Sequence, residues 1–201
     1  AFHRRLAGAA IAGATAAARD ALAQVRDAAA VLVPVVSALI KHGAHAEARV
    51  LIDEVPGLDD GVADLLLGKV LLAAGDAGGA VRHLAAAAAV ARPLYQARQL
   101  LPQALRAAGQ HAEARVALEQ LAREALYPHG PLATLAEWSW LDGRRTDALA
   151  EMARAIDAAP LHRRGRLRTR RAEWLVAGGD RAAARSELVL AIDEDPGYSR
   201  S

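Results

Sequence analysis

Two segments, ALIKHGAHAEARVLI at 38–52 and ALRAAGQHAEARVAL at 104–118, carry the same hexapeptide HAEARV two residues after a glycine. Three more take the same form with different letters: VLLAAGDAGGAVRHL at 70–84, WSWLDGRRTDALAEM at 138–152 and WLVAGGDRAAARSEL at 174–188. Apolar residues at helical spacing on both sides of a glycine read as helix, tight turn, helix. The turn glycines are Gly43, Gly75, Gly109, Gly143 and Gly179, separated by 32, 34, 34 and 36 residues. So regular a period marks a repeat architecture, in which each helix pair buries its apolar faces on its neighbours.

The second helices carry a finer signal. Five residues after each glycine stands an alanine (Ala48, Ala80, Ala114, Ala148, Ala184), and four residues later a large apolar side chain (Ile52, Leu84, Leu118, Met152, Leu188). That step puts both on one helix face, the small residue admitting close approach and the large one filling the core. Pro160 in AIDAAP and Pro196 in AIDEDP are expected to stop second helices, and Pro56, Pro93 and Pro128 punctuate other junctions. Pro102 falls inside an expected first helix and predicts a kink or a late start there.

Composition agrees with packed helices. Hydrophobic residues make up 53% of the 201 residues and aromatics only 3%, so the core is built from Ala, Leu and Val. With 25 Lys and Arg against 23 Asp and Glu, the net charge is +2, and any basic signal is local rather than global. The chain has no cysteine, which excludes disulfides and thiolate chemistry but does not fix a compartment; a cytoplasmic location is the expectation. The run LAGAAIAGATAAA at 6–18 is too rich in Ala and Gly for a membrane span and reads as a helix with a small-residue packing face.

From about residue 30 to 198 the pattern of period, Gly-then-Ala spacing and terminal proline resembles the tetratricopeptide repeat family. The first helices depart from it by carrying Leu, Val and Ala where that family has aromatics. The resemblance implies an all-α solenoid of about five helix-turn-helix repeats coiled into a right-handed superhelix, occupying 30–201. Residues 1–29 would form a capping helix or a degenerate half-repeat.

The resemblance also implies a concave groove lined by the first helices, with slots about 13, 10, 6 and 3 residues before each turn glycine. Those slots give Lys69 and Leu65, then Gln96, Gln99, Gln103 and Arg106, then Glu137 and Trp140, and last Arg166, Thr169 and Glu173. An amide-rich, mixed-charge surface suits a protein or peptide segment better than a uniform polyanion. Val33 and Ser37 replace the Lys and Asn with which some members clamp a C-terminal carboxylate.

One stretch resists the repeat reading. LHRRGRLRTRR at 161–171 packs six arginines into nine residues. In a hairpin turning at Gly179, Arg164 to Arg168 would lie beside Asp193, Glu194 and Asp195 and be neutralised from within. Alternatively, Arg166 and Arg170 reach the groove and grip an acidic partner. Nucleic acid is disfavoured, because no aromatic residues interleave with the run. Trp138 and Trp140 are two residues apart and point to different sides of one helix, so one of them is expected to be exposed or partly so, with Trp140 as a candidate anchor.

No catalytic, cofactor or metal site is expected. His42 and His45 lack a third ligand, GDAGGA at 75–80 lacks the Lys-Ser/Thr of a phosphate loop, and no Ser, His and carboxylate fall in a recognisable arrangement. The leading expectation is a non-catalytic scaffold binding a protein or peptide segment in the groove through Lys69, Gln96, Gln99, Gln103, Arg106, Glu137, Trp140, Arg166, Arg170 and Glu173. Two others stand beside it: a regulatory or targeting module of a larger enzyme, and a self-associating module using residues 6–18.

Overall fold

The computed structural model describes residues 2–25, 27–56, 58–90 and 94–194, with the backbone alone at 2–10 and 60. Pro93, Asp195, Pro196 and the side chains of 6–10 therefore lie outside the described residues. Eleven helices are found among those described: α1 (Phe2–Leu22), α2 (Ala28–Lys41), α3 (His45–Asp53), α4 (Asp60–Ala73), α5 (Ala77–Ala89), α6 (Tyr95–Ala107), α7 (His111–Glu124), α8 (His129–Leu141), α9 (Arg145–Asp157), α10 (Leu161–Ala177) and α11 (Arg181–Glu194). No described helix is long and apolar enough to cross a membrane.

All five turn glycines have positive φ, between +74° and +88°. At each one, the N–H of the following residue donates to the carbonyl five residues back: Ala44 to Leu39, Asp76 to Leu71, Gln110 to Leu105, Arg144 to Ser139 and Asp180 to Leu175, each at 2.9 Å. This bond closes the last turn of the first helix only when the intervening residue is left-handed, a conformation in which glycine meets no Cβ clash. Aspartate then starts the next helix in two of the five turns. Asp76 accepts from Gly79 N at 2.8 Å, and Asp180 from Ala183 N at 2.9 Å.

The alanines at the fifth position after each glycine are all buried, as are Ile52, Leu84, Leu118 and Met152. Leu188 is the exception. It is 42% exposed, because among the described residues no helix follows α11 to cover the face that its counterparts bury. Close approach is most visible at Gly68 of α4, where an added Cβ would stand 2.6 Å from Leu84 Cγ of α5.

The expectation of a late start at Pro102 changes, and α9 ends before Pro160. The helix α6 begins at Tyr95 and runs through Pro102, so the late start does not occur; the proline ring is fully buried. Pro160 lies beyond the end of α9 at Asp157 and serves as the N-cap residue of α10, where its extended ψ of 152° sets the turn between the two.

Residues 1–114 and 115–201 form two compact units. In the first, Leu32, Val36, Leu51 and Leu66 centre one apolar cluster, against which Ile11 and Ala18 of α1 pack, and Leu84, Ala87, Ala97 and Ala104 a second. The other unit is built on Leu118, Leu132, Leu135, Met152 and Trp174, with a smaller cluster of Ala172, Leu175 and Ala184.

Candidate functional site

Within residues 115–201, a pocket of about 480 Å³ opens between the first helices α8 and α10, with Met152 of α9 at its wall. Gly130, Ala133 and Glu137 line it from α8, and Arg166, Thr169 and Glu173 from α10. These six stand 13, 10 and 6 residues before Gly143 and Gly179 respectively, in the slots that the repeat resemblance implies. Small residues at 130 and 133 open the space. A larger side chain at either would fill it.

Arg170 spans the pocket wall. Its Nε and Nη2 donate to the two carboxylate oxygens of Glu137 at 2.8 and 3.0 Å, and its Nη1 donates to Glu173 at 2.8 Å. The hydrogen bonds it donates to Glu137 and then Glu173 push its pKa above the ordinary guanidinium value. A cation engaged by two carboxylates is a strut between α8 and α10 rather than a waiting grip.

The rest of the arginine run divides cleanly. Arg168 donates to Glu194 at 2.7 and 2.9 Å and to Glu187 at 3.0 Å, while Arg171 also pairs with Glu187 and Arg164 lies 3.6 Å from Glu194. The face toward α11 is thus neutralised from within, through Glu194 as the hairpin geometry predicts and through the buried Glu187, which sequence reasoning missed. Arg163 and Arg166 line the pocket and have no ion-pair partner among the described residues.

His129 opens α8 at the pocket edge. Burial first, then the charges of Arg163 and His162, hold its pKa below the ordinary histidine value. Neither His129 nor Arg163 was picked out from the sequence. The available signal was spacing: Arg163 stands three residues before Arg166 and shares its helix face.

Trp140 stacks on Trp174 with ring centroids 4.9 Å apart and planes inclined by 6°, and the Arg145 guanidinium lies 3.7 Å from its ring centre. Trp138 is half-buried against the same cluster. Next to Trp138 and Trp140 in sequence, Ser139 donates its Oγ–H to the buried carboxylate of Glu151 at 2.7 Å; that carboxylate also pairs with Arg115, which donates to Ser139 at 3.0 Å.

The remaining sequence-derived residues lie in 1–114. Gln96, Gln99 and Gln103 are exposed along one face of α6, and Arg106 contacts His111 Nδ1 at 3.5 Å. Lys69 is half-buried on α4. Leu65 is buried in the apolar cluster with Ala80 and Leu84, so its slot belongs to the core.

No family model matches the sequence, and no curated protein matches it. Solved structures do match in fold. A MamA double mutant (RS-1 ArsTM) is 16% identical over 86% of this chain and 97% of its own, with a TM-score of 0.63. YrrB, described as a TPR protein with an unusual peptide-binding site, is 17% identical over 91% of this chain and 94% of its own, at 0.57. Nearly identical TPR-like repeats of a putative kinesin light chain from Podosopora anserina give 19% over 88% and 100%, at 0.65. Taken with the glycine period and the turn geometry, these likenesses give the chain the all-helical tetratricopeptide repeat fold.

Proposed function

We propose that this chain is a non-catalytic scaffold that holds a protein or peptide segment on the surface of its first helices, and that the pocket between α8 and α10 is the principal contact in residues 115–201. The observation that carries the reading is the lining. Six slot residues from two successive first helices border one cavity of about 480 Å³, and small side chains keep it open. The unusual peptide-binding site described for YrrB supports the same use of the fold. Gln96, Gln99 and Gln103 offer exposed amides of the kind that bind peptide backbone in residues 1–114.

Peptide display against the purified protein tests this reading. Selected peptides are expected to lose affinity for Ala133→Trp, which fills the pocket, while circular dichroism shows the fold retained. Peptides that bind this variant and a Gln96→Ala, Gln99→Ala, Gln103→Ala variant as well as wild type would contradict it.

Self-association is a second reading, favoured by one observation. Leu188, Val189, Leu190 and Ile192 of α11 are each between 42% and 53% exposed. Light scattering across a concentration series separates it from the first.

A further inference from the structure

We infer that the α8–α10 pocket selects acidic peptide segments, seating a carboxylate between Arg163 and Arg166. The inference rests on the peptide-binding reading above and gives it a partner chemistry. It also changes which arginines do the gripping.

Of the six arginines in the run, Arg164, Arg168, Arg170 and Arg171 each meet a glutamate carboxylate: Glu194, Glu187, Glu137 or Glu173. Arg163 and Arg166 meet none among the described residues, and both border the cavity. Three residues apart on α10, their Cβ atoms lie about 5–6 Å from each other. A carboxylate is small enough to take a donor from each guanidinium, whose planar fork matches its two oxygens. Two arginines without a carboxylate partner among the described residues offer donors at one opening that an anion can take.

Its source follows from what surrounds the two arginines. Glu137 and Glu173 stand on the same pocket wall, fixed by Arg170, and would repel the closely spaced phosphates of a nucleic acid. Two of the three indoles, Trp140 and Trp174, are stacked on each other rather than open to bases. A polypeptide avoids both obstacles. It can place a single carboxylate at Arg163 and Arg166 and turn its amides toward Glu137 and Thr169.

The test uses the whole chain and four samples of it: wild type, an Arg163→Gln, Arg166→Gln pair, an Arg181→Gln, Arg185→Gln pair on α11 as charge-matched control, and Ala133→Trp. Each is titrated by fluorescence anisotropy with a labelled peptide carrying one central glutamate among neutral polar residues, the same peptide with glutamine in that place and a single-stranded oligothymidylate. Wild type is expected to bind the glutamate peptide, with a loss of about tenfold or more in the pocket pair and in Ala133→Trp and little change in the control pair. Equal losses in both arginine pairs would show diffuse attraction to a basic surface and overturn the inference. So would oligothymidylate binding more tightly than the glutamate peptide, or no binding of the glutamate peptide at all. The glutamine peptide binding as well as the glutamate peptide, with Ala133→Trp abolishing both, would overturn the acidic selection while leaving peptide binding in place.

Discussion

Single residues carry the repeat. Gly143 has a φ of +79°, and nothing lies within 4 Å of the place its Cβ would occupy. The cost of Gly143→Ala is therefore backbone strain alone, about 1 kcal/mol, and shows as a lowered Tm with unchanged helicity. These glycines were legible because a left-handed turn residue admits almost no substitute. His129 was not, because nothing in its neighbours signals a half-buried ring beside cations. Its titration, followed by NMR, is expected to lie below the ordinary histidine range, and Arg163→Gln to raise it without restoring it fully, since burial is the larger cause. An unchanged midpoint would place Arg163 away from the ring.

Between helices, the same letters meet different fates according to what covers them. Met152 and Leu188 occupy one repeat position, yet the first is fully buried and the second 42% exposed. Met152→Ala should cost about 2–5 kcal/mol in chemical denaturation and Leu188→Ala less than about 1. Equal costs would mean that α11 is covered in solution. Sequence periodicity gives a side chain's face but not its neighbour, which is why Leu188 looked like core. The late start expected at Pro102 fails for a related reason: the lost hydrogen bond is a local cost, and a fully buried ring in α6 offsets it through packing. The hairpin of α10 and α11 is also held by charge. Glu194 is kept below its ordinary pKa mainly by its hydrogen bonds from Arg168. Its contribution is present above the usual glutamate range and lost as pH falls through the lowered value. Glu194→Gln is accordingly expected to cut neutral-pH stability while narrowing the gap between pH 7 and pH 3 in urea melts.

Across the molecule, five glycines, five buried alanines and four of the five large apolar residues that follow them made the fold readable from the chain alone. The lining of the candidate pocket was half readable. Spacing before Gly143 and Gly179 singled out Glu137, Arg166 and Glu173, and these do border one pocket. It could not show that Arg170 is tied between Glu137 and Glu173, that Trp140 stacks on Trp174, or that Arg163 meets no carboxylate among the described residues, since each depends on contacts between helices. The central claim is that the first-helix surface of α8 and α10 is where a polypeptide docks. Amide chemical shifts recorded on the labelled chain during titration with a display-selected peptide test it most directly. Perturbations centred on Gly130, Ala133, Glu137, Arg166 and Thr169 are expected; perturbations confined to α9 and α11, with α8 and α10 silent, would contradict it.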